Sequence, residues 1–371
     1  MRTNSRGLSF ACAAVVLAAG LAPLLAAPTT APAPPRKVTA PTGYSKATTQ
    51  SATIWYETPD EVWVGKAIAL VRPLPAAGKL VGDLADRIAT NKATLVTALK
   101  NDLAWADEKA VGALVDDVVA QVRKADTMQP KFFYVAATAE KLKAMVKAGW
   151  GGAQFSYNRA DDSVSYNGNY QAPFEAPADE TIVWVPLDAK DTDEQKAARL
   201  ASKVMEQEVA RINFVANNAQ QRLVRALTAG IRERVVTPLG LKLDQQWLGM
   251  GIEGYCTAKY FAGIVGANFG QVLQQFARVP ENSGVNPDRI DLLKPTPPDS
   301  LRDELVQPYE AAMRARSTEV MAAWLANKGD DALARTLTAV RTKKPADGAA
   351  LVALIKDTTA ANLGPDLGPR P

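Results

Sequence analysis

Two stretches of the chain carry residue types from which a reactive site can be built. The first is Val204-Met205-Glu206-Gln207-Glu208-Val209-Ala210-Arg211-Ile212-Asn213-Phe214. The second is Gln246-Trp247-Leu248-Gly249-Met250-Gly251-Ile252-Glu253-Gly254-Tyr255. Glu208 and Arg211 stand three positions apart, where opposite charges meet on one face of a helix. A carboxylate in such a setting can work as a general base on water, or be tied up by the neighbouring cation. The surrounding chemistry is narrow. The 371 residues include no histidine, which removes Ser-His-Asp and Cys-His catalysis and every site needing an imidazole from this chain. Two cysteines, Cys12 and Cys256, are too few for Cys-rich zinc or iron–sulfur sites.

Other side chains offer less. Glu206, Glu208, Glu253 and Asp244 are oxygen donors of the kind calcium takes, but no Asp-x-Asp-x-Asp-Gly loop accompanies them. Cys256 has no histidine to deprotonate it and reads as a buried structural thiol. Ser156, Ser163 and Ser165 alternate along strands, with no lysine at a spacing that would activate them. Trp247, Trp184 and Tyr255 are core-type aromatics.

These residues need elements to position them. Thr53-Ile54-Trp55-Tyr56, Val62-Trp63-Val64, Phe132-Phe133-Tyr134-Val135 and Thr181-Ile182-Val183-Trp184-Val185 read as strands, the last ended by Pro186. Residues 153–157 and 163–166 alternate around a turn at 158–162, a hairpin pattern. Helical spacing covers 78–104, 108–125 and 139–147, a long helix from Thr192 to about Arg234, and a second from Trp247 to Ile264 capped by Asp244. Further helices are expected at about 267–279, 300–327, 329–342 and 347–361. Helices, then a small sheet, then a run of helices make the fold class α+β.

The N-terminus shows Arg2 and Arg6, then an apolar run from Leu8 to Ala27 and a small-residue exit. That is the pattern of a secretory signal peptide over 1–27; kept uncleaved, it would be an anchor. The expected destination is the periplasm, cell envelope or exterior. Residues 28–50, rich in Pro, Thr and Ala, read as a disordered linker. A domain over 51–265, a helical region over 266–362 and a disordered tail over 363–371 complete the expected division. The formal net charge of +4 falls by the two charges of Arg2 and Arg6 to +2 on cleavage. No dense Lys/Arg stripe interleaved with aromatics is present, so no nucleic-acid partner is expected, and no membrane beyond the signal sequence.

The two stretches resemble the peptidase-MA-like gluzincins, zinc metallopeptidases with a His-Glu-x-x-His helix and a second helix that supplies a glutamate ligand. The resemblance covers about residues 130–265, with Gly151-Gly152 and the strands after them similar to the strand pair before the active-site helix. It implies a zincin-like domain: a small mixed or antiparallel sheet, an active-site helix and a glutamate helix, with additional helices at the C-terminus. On that pattern Gln207 and Arg211 take the histidine positions, Glu208 the general-base position and Met250 the glutamate-ligand position, while Gly251, Ile252 and Tyr255 match the positions after that ligand. A second register would place Met205, Glu206 and Val209 at the ligand and base positions. All three ligand positions are changed in the preferred register. Gln is a poor zinc ligand, Met a soft one, and Arg repels cations. The resemblance therefore implies a pseudopeptidase without zinc or any other cofactor, in which a vestigial cleft near Trp247 and Tyr255 holds a peptide or protein segment. Arg211 is expected to stand in for the metal, pairing with Glu208 and Glu253. A residual hydrolase using Glu208 as base, and a structural envelope protein with no ligand, remain as alternatives.

Overall fold

The computed structural model describes residues 40–49, 52–72, 77–127, 131–150, 155–166, 180–279, 284–294 and 305–370. The signal-peptide reading, most of the linker reading and Gly151-Gly152 fall outside them. In chain order the elements are β1 (Tyr44–Thr48), β2 (Thr53–Glu57), α1 (Glu61–Leu70), α2 (Ala77–Thr90), α3 (Lys92–Asp102), α4 (Glu108–Arg123), β3 (Lys131–Thr138) and α5 (Ala139–Lys147). Then come β4 (Phe155–Asn158), β5 (Ser163–Tyr166), β6 (Glu180–Leu187), α6 (Asp193–Ile231), α7 (Gln246–Val265), α8 (Phe269–Phe276), α9 (Val306–Lys328), α10 (Asp331–Lys343), α11 (Gly348–Thr359) and α12 (Gly364–Leu367). The class is α+β.

The chain forms two compact units: a sheet unit from Pro28–Val81 and Lys124–Asn218, and a helical unit containing Gly82–Arg123 and Ala219–Pro371. This differs from the expected break between 265 and 266. The chain leaves the sheet unit within α2, after α1, to build α3 and α4, then resumes it before β3. Neither unit is therefore one continuous segment, and a linear reading could not find the boundary.

The sheet unit holds a four-stranded sheet in the order β1-β2-β3-β6, with β1 antiparallel to β2 and the other pairs parallel. Parallel strands covered on both faces carry near-continuous apolar runs, as in Phe132–Ala137 and Ile182–Val185. Side chains alternate between the faces. Ile54, Tyr56, Tyr134, Ala136, Val183 and Val185 meet Trp63, Val64 and Ala67 of α1 and Ala197, Leu200 and Val204 of α6. Val135, Ala137 and Ile182 turn the other way, against Leu142 of α5 and Phe155 of the β4–β5 hairpin. The hairpin pairs Phe155 with Tyr166 and Asn158 with Ser163, as its alternation predicts.

Three local expectations fail in this unit. Residues 62–64 are helical, not a strand: Trp63, Val64 and Ala67 are buried while Val62 is 69% exposed, which is helical spacing. Residues 44–48, assigned to the linker, form β1; only Tyr44 and Ala47 pack inward, too few to show a period. Pro186 does not end β6, which continues to Leu187. β6 lies at the sheet's edge, where a missing N–H breaks no ladder on the open side.

In the helical unit α7 is buried nearly all round, the pattern of a central helix. Gly251 and Gly254 let α9 come close: a Cβ at 251 would stand 2.8 Å from the Ser317 carbonyl oxygen, and one at 254 would stand 1.9 Å from Thr318 Oγ1. The glycine spacing in this stretch thus serves helix packing. The C-terminal segment, expected to be disordered, is an ordered part of the unit. Leu367 is buried, and Leu292 N donates to its carbonyl. Pro365 suits the first turn of α12.

Candidate functional site

α6 lays a buried stripe on the sheet through Ala197, Leu200, Ala201 and Val204, and Glu208 is the next residue on that stripe. Its carboxylate is only 2% exposed. Arg211, one turn on, donates to Glu208 Oε2 through Nε at 3.0 Å and Nη2 at 2.7 Å. The arginine is 13% exposed, so the pair is nearly as buried as the core around it. Burial of an ion pair is costly unless each charge is compensated, and here Arg211 supplies the countercharge through Oε2 alone. Among the described residues, the other oxygen, Glu208 Oε1, has no hydrogen-bond partner, and neither has the hydroxyl of Tyr134 on β3. Burial pushes the Tyr134 phenol far above its ordinary range, the Glu208 charge adds to the rise, and Arg211 opposes it.

Gln207 and Met205 flank the buried stripe, half-buried. Val209 is 43% exposed, and Glu206 points outward to Lys203 at 2.9 Å. The alternative register therefore places a solvent-facing valine at a ligand position.

The second stretch lies in the helical unit. Trp247 and Tyr255, expected to line a cleft, are interior residues of α7. Tyr255 donates to Asp330 Oδ1 at 2.9 Å. Met250 is half-buried. Glu253 is buried and held by two arginines that sequence reasoning did not single out. Arg232 donates through Nε to Oε1 at 2.9 Å and through Nη2 to Oε2 at 2.7 Å, and Arg314 Nη1 reaches Oε2 at 2.9 Å. The Arg211 half of the expected cluster is thus present with Glu208, while both oxygens of Glu253 are engaged from α9 and from the turn after α6. Asp244 does not cap α7, whose N-cap is Gln245. Its carboxylate accepts from Gly348 N. Burial drives the Cys256 thiol well above its ordinary value, as suits a structural thiol.

A third cluster escaped sequence reasoning altogether. Lys259 Nζ bridges Asp102 Oδ2 at 2.7 Å and Asp330 Oδ2 at 2.6 Å, and Tyr260 donates to Asp102 Oδ2 at 2.9 Å. Burial disfavours the Lys259 charge, but the two aspartates together outweigh it and raise its pKa. Only Lys259 and the tyrosines share a local segment. Asp102 ends α3 and Asp330 lies in the turn before α10, both distant in sequence, so no spacing rule could have assembled the set.

Among the described residues no group of three or more His, Cys, Asp and Glu side chains is arranged to hold a metal. The donor chemistry at α6 does not fit zinc either, since a guanidinium lies against the one carboxylate available there. No family model, no curated protein and no solved structure matches the chain.

Proposed function

We propose that this chain is an exported, non-catalytic relative of the peptidase-MA-like gluzincins. In this reading it is a binding or scaffold protein of the cell envelope or exterior that holds an extended peptide or protein segment. The zincin-like assignment rests on the resemblance of residues 130–265. The observation that carries the non-catalytic part is the pairing of Arg211 with Glu208. The carboxylate at the general-base position faces a fixed cation, at the position where an active relative would place a zinc ligand. A carboxylate so engaged is tied to a cation, and the donors around it do not fit a zinc that would supply a metal-bound water.

The test combines elemental analysis of the purified chain with an assay on an unfolded protein substrate and a peptide-library pull-down. The expected result is substoichiometric zinc, no cleavage, and saturable capture of a peptide subset. Stoichiometric zinc with proteolysis lost in Glu208→Gln would overturn it. Capture of no peptide at all would leave the structural reading in its place.

A residual hydrolase draws support from one observation, the unpartnered Glu208 Oε1. Cleavage without zinc that disappears in Glu208→Gln would favour it.

A further inference from the structure

We infer that Glu208 and Tyr134 enclose, between α6 and β3, a binding site for one neutral hydrogen-bonding molecule, a water. Two buried polar atoms define it. Glu208 Oε1 and the Tyr134 hydroxyl are both without a partner, in residues that are 2% and 0% exposed. Leaving either atom unpaired carries its full desolvation cost, which native interiors avoid by enclosing water.

The two atoms belong to one neighbourhood. Val204, one turn before Glu208 on the buried stripe of α6, packs in the same apolar cluster as Tyr134. Of the charged groups acting on Tyr134, Glu208 has the largest effect. They are not bonded to each other, and one small group placed between them would serve both.

The chemistry of the two atoms selects the guest. Oε1 belongs to a carboxylate that a guanidinium already pairs with, so it accepts and the guest must donate to it. The phenol both donates and accepts, so it places no further demand. A cation is not called for, because Arg211 already balances the carboxylate through Oε2. An anion would face Glu208 directly. Both residues are interior, which excludes a peptide side chain and leaves a molecule the size of water, satisfied by two fixed polar partners. Burial and hydrogen-bond accounting carry this site, independently of the gluzincin reading.

A crystal structure of the full chain, at a resolution that shows ordered solvent, tests it. The expected result is one solvent peak within hydrogen-bond distance of both Glu208 Oε1 and Tyr134 Oη. A direct bond between the two atoms, a dry gap, or an ion at that place would each overturn it. The same chain with Tyr134→Phe should lose or displace the peak; an unmoved peak would count against the tyrosine as a partner.

A double-mutant cycle with Glu208→Gln gives a readout in solution. The joint effect of the two substitutions on the unfolding equilibrium constant should depart at least about threefold from the product of the single effects. A simple product would overturn the inference.

Discussion

Arg211 spends both of its bonds to Glu208 on one oxygen, Oε2, at 3.0 and 2.7 Å. The arrangement neutralises a carboxylate that the core of the sheet unit would otherwise not tolerate. It also makes the arginine a structural requirement. Arg211→Met should leave a buried charge without its partner and cost about 3–5 kcal/mol. Arg211→Met combined with Glu208→Leu removes both charges and should recover most of that loss. Denaturant unfolding of the single and double variants checks this; a double variant as unstable as the single one would contradict it.

Arg316 is 1% exposed, and among the described residues its hydrogen bonds run to carbonyls, not to a carboxylate. Its guanidinium donates to the carbonyls of Pro287 at 2.9 Å, Asp288 at 2.8 Å and Asp366 at 3.3 Å, and to that of Gly368. One buried cation thus ties the C-terminal turn to the segment before α9. Lysine has the charge but not the planar fork. Arg316→Lys should destabilise the chain by roughly 2–4 kcal/mol, the worth of one or two charge-assisted bonds. It should also open residues 364–370 to carboxypeptidase digestion, followed by mass spectrometry. Unchanged protection of that segment would show that Leu367 alone holds it.

The Lys259 network predicts a pH dependence. Burial raises the Asp330 pKa, but bonds from Lys259 and Tyr255 prevail and hold it below the ordinary 3.8. A carboxylate depressed in the folded state adds stability above its unfolded value and loses it as pH falls through the folded value. Asp330 therefore supports the fold at neutral pH, and its contribution fades below about pH 4. Asp330→Asn should lower Tm at pH 7 and flatten its fall below pH 4. Its partner Lys259 is shifted upward, so the matching loss on the alkaline side should begin only above the ordinary lysine value of 10.5. Calorimetric Tm profiles of the two proteins between pH 2 and 11 are the measurement; parallel curves would rule out the coupling.

Much of this organisation was legible in the chain because it is local. The periods of α5 and α6 show in the sequence, as do the apolar stretch of α7, the apolar runs of β3 and β6 and the hairpin's alternation. The Glu208–Arg211 pair comes from a spacing of three on one helix. What escaped is set by partners distant in sequence. Val62-Trp63-Val64 has strand composition, yet the core takes Trp63, Val64 and Ala67 on a helical face. A proline- and glycine-rich ending reads as disordered until a buried arginine fifty residues upstream is seen to hold it. The clamp of Arg232 and Arg314 on Glu253 draws on three separate elements. Tyr134 looks like any core aromatic of a strand, and nothing local indicates that its hydroxyl lacks a partner. The zinc-site resemblance singled out the turn of α6 that carries Glu208 and Arg211 and placed Trp247 and Tyr255 in a cleft; the structure buries those two in α7.

The close crossing of α7 and α9 supplies the last prediction. Gly254 faces Thr318, whose Oγ1 would stand 1.9 Å and whose Cβ and Cγ2 would stand 3.0 Å from an added Cβ. Thr318 cannot swing clear cheaply, because it is 1% exposed and its hydroxyl donates to the Arg314 carbonyl at 2.8 Å. Gly254→Ala should therefore overpack the crossing and cost about 1–3 kcal/mol, even though alanine is the better helix former. Thr318→Ala removes Oγ1 and Cγ2 but leaves its Cβ, so in the Gly254→Ala background it should restore part of the loss. Alone, it should cost stability by leaving a small void. The sign reversal of Thr318→Ala between the two backgrounds, read from denaturant midpoints, is the signature of direct contact. The same sign in both would mean that the helices move apart to accept the methyl group, and that glycine at 254 does not set their distance.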